Sequence, residues 1–260
     1  MKTIVLERHR KHTAIITISN TAKQNAFDAL LLQELGERLD EAEQDRTYRV
    51  LYLRGAGDKA FSTGVFLKDL VRFNSTSGAR DFAVLLESTM DRLFNFPKPV
   101  IALIHGYALG GGFGLALSSD IRIMTGDAQI GFPAVKIGAI LPSGCTARLI
   151  SLIGAGYAKE LLLTGRYVGA EEAHRTGMVN YVVRNTAELV PKADELADKI
   201  MEGSPHALLM TKNTINSHTN DLISRHALYA PDNFAYLSST RDWQERISRF
   251  LRRKKTGRKK

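Results

Sequence analysis

Two glycine-bearing segments hold the residue types best suited to chemistry. Gly106–Gly114 (GYALGGGFG) lies between an apolar run, Pro99–His105, and a short apolar stretch of helical character, Phe113–Leu117. Glycines at a strand-to-helix junction let backbone approach a ligand closely, and a helix start presents unpaired N–H groups at its positive end. The segment is not a Walker loop, since no Gly-Lys-Ser/Thr follows, and it lacks the spacing of a dinucleotide fingerprint. Lys59–Leu67 (KAFSTGVFL) follows a second apolar run, Arg49–Arg54, and its Ser62-Thr63-Gly64 could aim another N–H into the same crevice. Two N–H donors converging from separate segments make an oxyanion hole, which holds a carbonyl oxygen as it gains negative charge. Taken alone, each segment is more simply a packing turn.

The elements that must position these segments follow from periodicity. Thr13–Ser19, Arg49–Arg54, Pro99–His105 and Asp120–Thr125 are β-branched or apolar enough for buried strands, and Val179–Val183 is strand-like. Ala26–Asp45 carries Leu30, Leu31, Leu35, Leu39 and Ala42 at helical spacing, with Asn25 in the position of an N-terminal cap. The polar stretch Asn74–Arg80 predicts a loop before a helix at Phe82–Phe94. Further helices are predicted at 146–153, 155–163 and 170–176. Beyond residue 186 the pattern is almost wholly helical, over 186–202, 205–217, 220–229 and 240–254. The expected class is α/β, with a body over residues 1–190 and a helical region over 191–260.

Composition removes several functions. The chain has 260 residues, 44% of them hydrophobic and 24% charged, which suits a sizeable globular core. Its one cysteine, Cys145, excludes an intramolecular disulfide and a Cys-cluster metal site, and no pair has metal-ligand spacing, so no metal is expected. The net charge of +9 is concentrated in residues 249–260, which hold eight basic side chains and no acid, leaving the rest at a net +1. A terminal run of this kind suits a solvated tail or a phosphate contact. With no zinc-finger spacing or ribonucleoprotein aromatic motif, nucleic acid is not an expected partner. No window suits a membrane span, no membrane partner is expected, and the N-terminus lacks the apolar core of a signal peptide, so the expected compartment is the cytoplasm.

Together and in this order, the two glycine-bearing segments resemble the crotonase superfamily, the enoyl-CoA hydratase/isomerase family. The likeness extends to Asn20–Ala26 (NTAKQNA), Pro97–Gly112 (PKPVIALIHGYALGGG), Asp120–Met124, Gly131–Gly138 and Leu161–Val179 (LLLTGRYVGAEEAHRTGMV). The resemblance implies a spiral of ββα turns followed by C-terminal helices that build a homotrimer or a homohexamer of paired trimers. It implies an acyl-CoA thioester as substrate, with CoA as part of the substrate and no separate cofactor. It places the oxyanion donors on the N–H groups of Thr63 and Gly111, and the adenine-receiving edge on Ala60, Phe61 and Ser62. Lys23, with Arg252 and Arg253, would meet the CoA phosphates. Phe66, Phe132, Ile137 and Ile140 suggest an apolar acyl pocket, which would strengthen hydrogen bonds to an enolate.

The same resemblance exposes a departure. Hydratases of the family use two glutamates, whose positions fall on Gly114 and Ala134; isomerases often use a later acid, whose position falls on Ser143. The acid commonly found two residues after Gly64 is replaced by Phe66. Hydration by the usual acid–base route is therefore not expected. Reactions in which the substrate drives its own enolate formation, such as decarboxylation of a malonyl-type thioester, are compatible, as is acyl-CoA binding without turnover or chemistry through an unexpected acid. Asp69, Glu87 and Asp91 could reach the acyl pocket from above, although a solvated helix face explains each more simply. His105, Tyr107 and Cys145 are expected to be structural, and Asp120 is expected to be so by the resemblance.

Overall fold

In the computed structural model, residues 2–66, 75–224 and 230–256 are described. Two sheets are built turn by turn from strand pairs. The larger runs β1 (Thr3–Arg10), β2 (Thr13–Ser19), β3 (Val50–Gly55), β5 (Val100–Ile104), β7 (Ile121–Thr125) and β10 (Tyr181–Val183). The smaller runs β4 (Ala60–Ser62), β6 (Tyr107–Leu109), β8 (Gln129–Gly131) and β9 (Tyr167–Gly169). Each of the pairs β3/β4, β5/β6 and β7/β8 gives one strand to each sheet, so the chain winds as a spiral. The larger sheet is parallel except for its first pair, β1 with β2.

Parallel strands covered on both faces need apolar residues on both, and β2, β3 and β5 have them. Ile16, Ile18, Leu51, Leu53 and Ala102 face helices α1 (Ala29–Gln44) and α2 (Thr76–Phe94) in the main core. Their neighbours Ile15, Val50, Tyr52, Ile101 and Leu103 face the opposite way, onto α6 (Leu189–Met201) through Leu189, Ala193, Leu196 and Ala197. The C-terminal helices are thus part of the packing. Trp243 and Ile247 of α9 (Arg241–Thr256) lie in the main core, and Arg80 pairs with Asp232 of α8 (Ala230–Ser239) at 2.7 Å.

Several sequence expectations need correction. Residues 3–10 form a strand, which pairs antiparallel with β2. Helix α1 begins at Ala29 and is capped by Asp28, whose side chain accepts from the Leu31 N–H. Asn25 instead has φ of 56° and sits buried. The polar stretch before residue 82 is mostly helix, because Ser75 caps α2 by accepting from the Gly78 N–H and starts it at Thr76. By contrast, the two helices expected at 146–153 and 155–163 are present, as the two halves of α4 (Ser143–Thr164) on either side of a break at Gly154, where φ is 75°. α3 (Gly111–Leu117), α5 (Ala170–Arg175) and α7 (Pro205–Ser224) complete the α-helices among the described residues.

Helix α7 is tied to the larger sheet by an ion pair between the buried Lys212 and the half-buried Asp120. Lys212 Nζ donates to Asp120 Oδ2 at 2.8 Å, and the same oxygen accepts from the Val100 N–H at 2.7 Å. Burial pushes the Asp120 carboxyl up and the Lys212 ammonium down, so each group depends on the other to stay charged. Lys212→Ala is expected to cost about 3–5 kcal/mol, because it leaves a carboxylate buried and unpaired. Denaturant unfolding checks this, and adding Asp120→Asn should return part of the loss.

Candidate functional site

Strand pairing brings the two glycine-bearing segments together. β4 runs parallel to β6, with Ser62 opposite Ala108, so both strands leave the smaller sheet at the same end. The chain leaving β4 becomes residues 63–66, and the chain leaving β6 becomes Gly110 and α3. Their approach is close enough to need glycine. A Cβ on Gly64, where φ is +80°, would lie 2.7 Å from both the Gly111 nitrogen and the Leu109 oxygen. A Cβ on Gly112 would lie 2.1 Å from the Ser62 oxygen.

A hydrogen-bond network fixes the first segment. The Asn25 side chain accepts from the Asn20 N–H at 3.0 Å and donates to the carbonyls of Ala56 and Ala60 at 2.8 and 2.7 Å. Ser62 Oγ donates to the Asn25 carbonyl at 2.8 Å and accepts from the Gly64 N–H at 3.1 Å. Asn25 is not a helix cap: its side chain works across sequence, at residues 20, 56 and 60, where no local pattern records it. Phe27, also missed, puts its ring against Gly111: a Cβ there would lie 2.7 Å from Phe27 Cζ.

The expected donor at Thr63 is already engaged. Its N–H donates to the Gln24 carbonyl at 3.1 Å, and its hydroxyl lies 3.3 Å from the same oxygen. Val65 differs. It forms a parallel bridge with Phe27, in which the Phe27 N–H donates to the Gly64 carbonyl and the Phe66 N–H donates to the Phe27 carbonyl. That pattern points Val65's own N–H away from Phe27, and no described residue accepts from it. Gly111 is the first residue of α3, so its N–H has no acceptor within the helix. Val65 and Gly111 are both partly exposed.

The remaining expected residues scatter around this crevice. Phe61 and Ser62 are fully buried, and Ala60 lines a cleft of about 340 Å³ between the 21–25 and 56–60 turns. Lys23 is exposed, with Nζ 5.3 Å from the centre of the Phe66 ring. Phe132 lies in the core, its ring 4.9 Å from that of Phe113, while Ile140 is exposed and Ile137 half-buried. Tyr107, expected to pack, is exposed. Arg252 is exposed; the Arg253 side chain, Asp69 and residues 257–260 lie outside the described residues.

Gly114 is buried one helical turn beyond Gly111, and its side-chain space is filled: a Cβ would lie 2.9 Å from Met90 Cε and 3.1 Å from Cys145 Sγ. Cys145 packs there, 3.2 Å from Met90 Sδ, and burial pushes its thiol up to about 12. His105 is buried with Nε2 unpartnered, and burial holds its imidazole below the usual range.

Glu87 and Asp91 do not form a solvated face. Glu87 accepts from Ser143 Oγ at 2.6 Å and from the Gly144 N–H at 2.9 Å, and Asp91 pairs with the buried Arg148. The helical spacing of α2 revealed its apolar stripe, but the partners of these acids come from a helix more than fifty residues away. Among the described residues, no group of three His, Cys, Asp or Glu could hold a metal, and no helix is long and apolar enough to cross a membrane.

Comparisons with known proteins agree with this fold. The sequence matches the family described as Enoyl-CoA hydratase/isomerase over residues 8–259. It is 34% identical over 255 residues to a short-chain-enoyl-CoA hydratase of Clostridium acetobutylicum, covering 98% of this chain and 97% of the relative. It is 33% identical over 255 residues to a crotonyl-CoA hydratase of Syntrophomonas wolfei, covering 97% and 96%. The fold superposes on an enoyl-CoA hydratase/isomerase of Xanthobacter autotrophicus with a TM-score of 0.87 at 30% identity, covering 96% of this chain and 93% of the other. A spiral of paired strands, two converging glycine-bearing segments and similarity along nearly the whole sequence lead to one assignment: the chain belongs to the enoyl-CoA hydratase/isomerase family.

Proposed function

We propose that this chain is an enzyme acting on an acyl-CoA thioester, whose carbonyl it holds between the N–H groups of Gly111 and Val65 as an enolate forms. Val65 takes the role first expected of Thr63, since the Thr63 N–H is spent on Gln24. The observation that carries the proposal is the convergence of these two segments, tight enough that neither Gly64 nor Gly112 has room for a side chain. Oriented donors at a partly dry crevice stabilise charge that develops only during reaction, which is where binding energy accelerates chemistry.

Two of the relatives are named as hydratases, but this chain carries no ionisable group at residues 114 and 134. We therefore propose an enolate reaction other than two-glutamate hydration. The filled space beside Gly114 supports this, because the Met90 and Cys145 side chains occupy the volume a carboxyl there would need. Acyl-CoA binding without turnover is the second reading, favoured by the same filled space.

The test is a panel of enoyl-, dienoyl- and malonyl-type CoA esters, with affinity followed by calorimetry and products by mass spectrometry. Micromolar binding is expected, with crotonyl-CoA hydrated far below the roughly 1–1000 per second typical of enzymes. Hydration within that range overturns the non-hydratase assignment. Absence of binding to every ester overturns the acyl-CoA site itself.

A further inference from the structure

Among the acids on the inner side of α2, Glu87 is the one anchored through a single oxygen to the start of α4, and none of the positions the family resemblance would indicate identifies it. Its Oε1 receives both the Ser143 hydroxyl and the Gly144 N–H, at 2.6 and 2.9 Å. Its Oε2 receives no hydrogen bond and no cation from any described residue, so among these the second oxygen of a carboxylate held in place by the first is uncommitted. Asp91, one turn further along α2, differs: it is committed to Arg148, whose side chain is only 2% exposed and is also held by Ser118 Oγ.

The surroundings of Glu87 are continuous with the Gly111 donor. Met90, three residues on and so on the same face of α2, fills the space beside Gly114. Cys145, next to Gly144, meets Met90 from the other side at 3.2 Å. Gly114 lies one turn from Gly111 on α3. Glu87 and Ser143, the buried Met90 and Cys145, and Gly114 therefore form one continuous chain of contacts, with a half-buried carboxylate at one end and the start of α3 at the other.

We propose that Glu87 is the proton-transferring group of this site, held by Ser143, and that the substrate is an acyl-CoA bearing an acidic C–H next to the thioester or one double bond away. The inference rests on the acyl-CoA reading given above. In the forward step the Cα–H bond breaks, its proton passes to Glu87 Oε2, and the electron pair moves onto the thioester oxygen to give the enolate. Return of a proton to the same carbon is exchange. Return to the γ-carbon of an enoyl thioester shifts its double bond. Neither outcome requires an oxidant, a reductant or a second substrate.

The experiment incubates the full-length protein with butyryl-CoA in deuterium oxide and with 3-hexenoyl-CoA in water. Deuterium uptake and double-bond migration are read by mass spectrometry and absorbance. Wild type is expected to do at least one of the two. Glu87→Gln is expected to slow that reaction by about 10²–10⁴-fold, the usual contribution of a general acid–base group. Its Kd for butyryl-CoA should stay within about threefold, since the thioester donors are untouched. Glu87→Asp keeps a carboxylate and should recover part of the rate; it also carries the test if the glutamine variant fails to fold. Wild-type rates in Glu87→Gln, or loss of rate no greater than loss of affinity, overturn the proposal. Wild type that binds butyryl-CoA but neither exchanges nor isomerises overturns the role of Glu87 and leaves the acyl-CoA site standing. Wild type that binds no acyl-CoA brings down both.

Discussion

Gly64→Ala is expected to lower acyl-CoA turnover by about 10²–10³-fold, the loss that follows removal of one oxyanion donor. The cause is geometric. With φ at +80°, the new Cβ would lie 2.7 Å from the Gly111 nitrogen and the Leu109 oxygen, both backbone atoms that cannot rotate aside. One segment must retreat, and the spacing of the Val65 and Gly111 N–H groups changes with it. The left-handed backbone adds a cost of about 1–3 kcal/mol to folding. Turnover of whichever thioester wild type converts, measured beside thermal stability, separates the two effects. Thr63→Ala is the control: its backbone N–H stays on Gln24, so turnover should remain within about threefold. A Gly64→Ala protein that turns over like wild type would place the thioester elsewhere.

The second large effect concerns the empty carboxyl position on α3. Gly114→Glu is expected to destabilise the protein by about 3–5 kcal/mol, the cost of a buried charge without a partner. For a chain of this size that corresponds to roughly 10 °C in Tm. No gain in crotonyl-CoA hydration should accompany it. Space is the reason: a Cβ at residue 114 already lies 2.9 Å from Met90 Cε and 3.1 Å from Cys145 Sγ. Gly114→Glu combined with Met90→Ala should recover part of the stability, because the first obstacle is the end of a flexible side chain. Wild-type stability and fast hydration in the single variant would show instead that the position is open and merely vacant.

How much of this could be read from the sequence depends on whether an interaction is local or distant. The buried strands were legible because parallel pairing demands apolar residues on both faces, and β2, β3 and β5 supply them as continuous runs. The two glycine-bearing segments were legible as a pair because glycine marks close backbone approach. Which N–H faces the crevice was not legible. Thr63 and Val65 sit two residues apart, and the choice is made by Gln24 and Phe27, which bond to one and turn the other outward. The start of α2 was hidden for a different reason: a polar first turn capped by Ser75 has the composition of a loop. Glu87 looked solvated because its partners, Ser143 and Gly144, belong to another helix. Strand β1 was not legible because only Ile4 in it is fully buried, as suits an edge strand facing water on one side.

The parallel pairing of β4 with β6 also determines when the crevice can exist as the chain folds. A parallel pair cannot be closed by a hairpin; it must wait for the crossover between its strands. Thr13 meets Val50, Leu51 meets Val100 and Ser62 meets Ala108, each across a long stretch of sequence. Closing such loops costs chain entropy before any contact repays it, which makes topologies of this kind slow to form. An intermediate with only the first turn wound would have residues 63–66 in place and nothing opposite them. The convergence of the Val65 and Gly111 segments is therefore a property of the stacked spiral alone, and the thioester binding proposed for it would report the completion of folding across two successive turns.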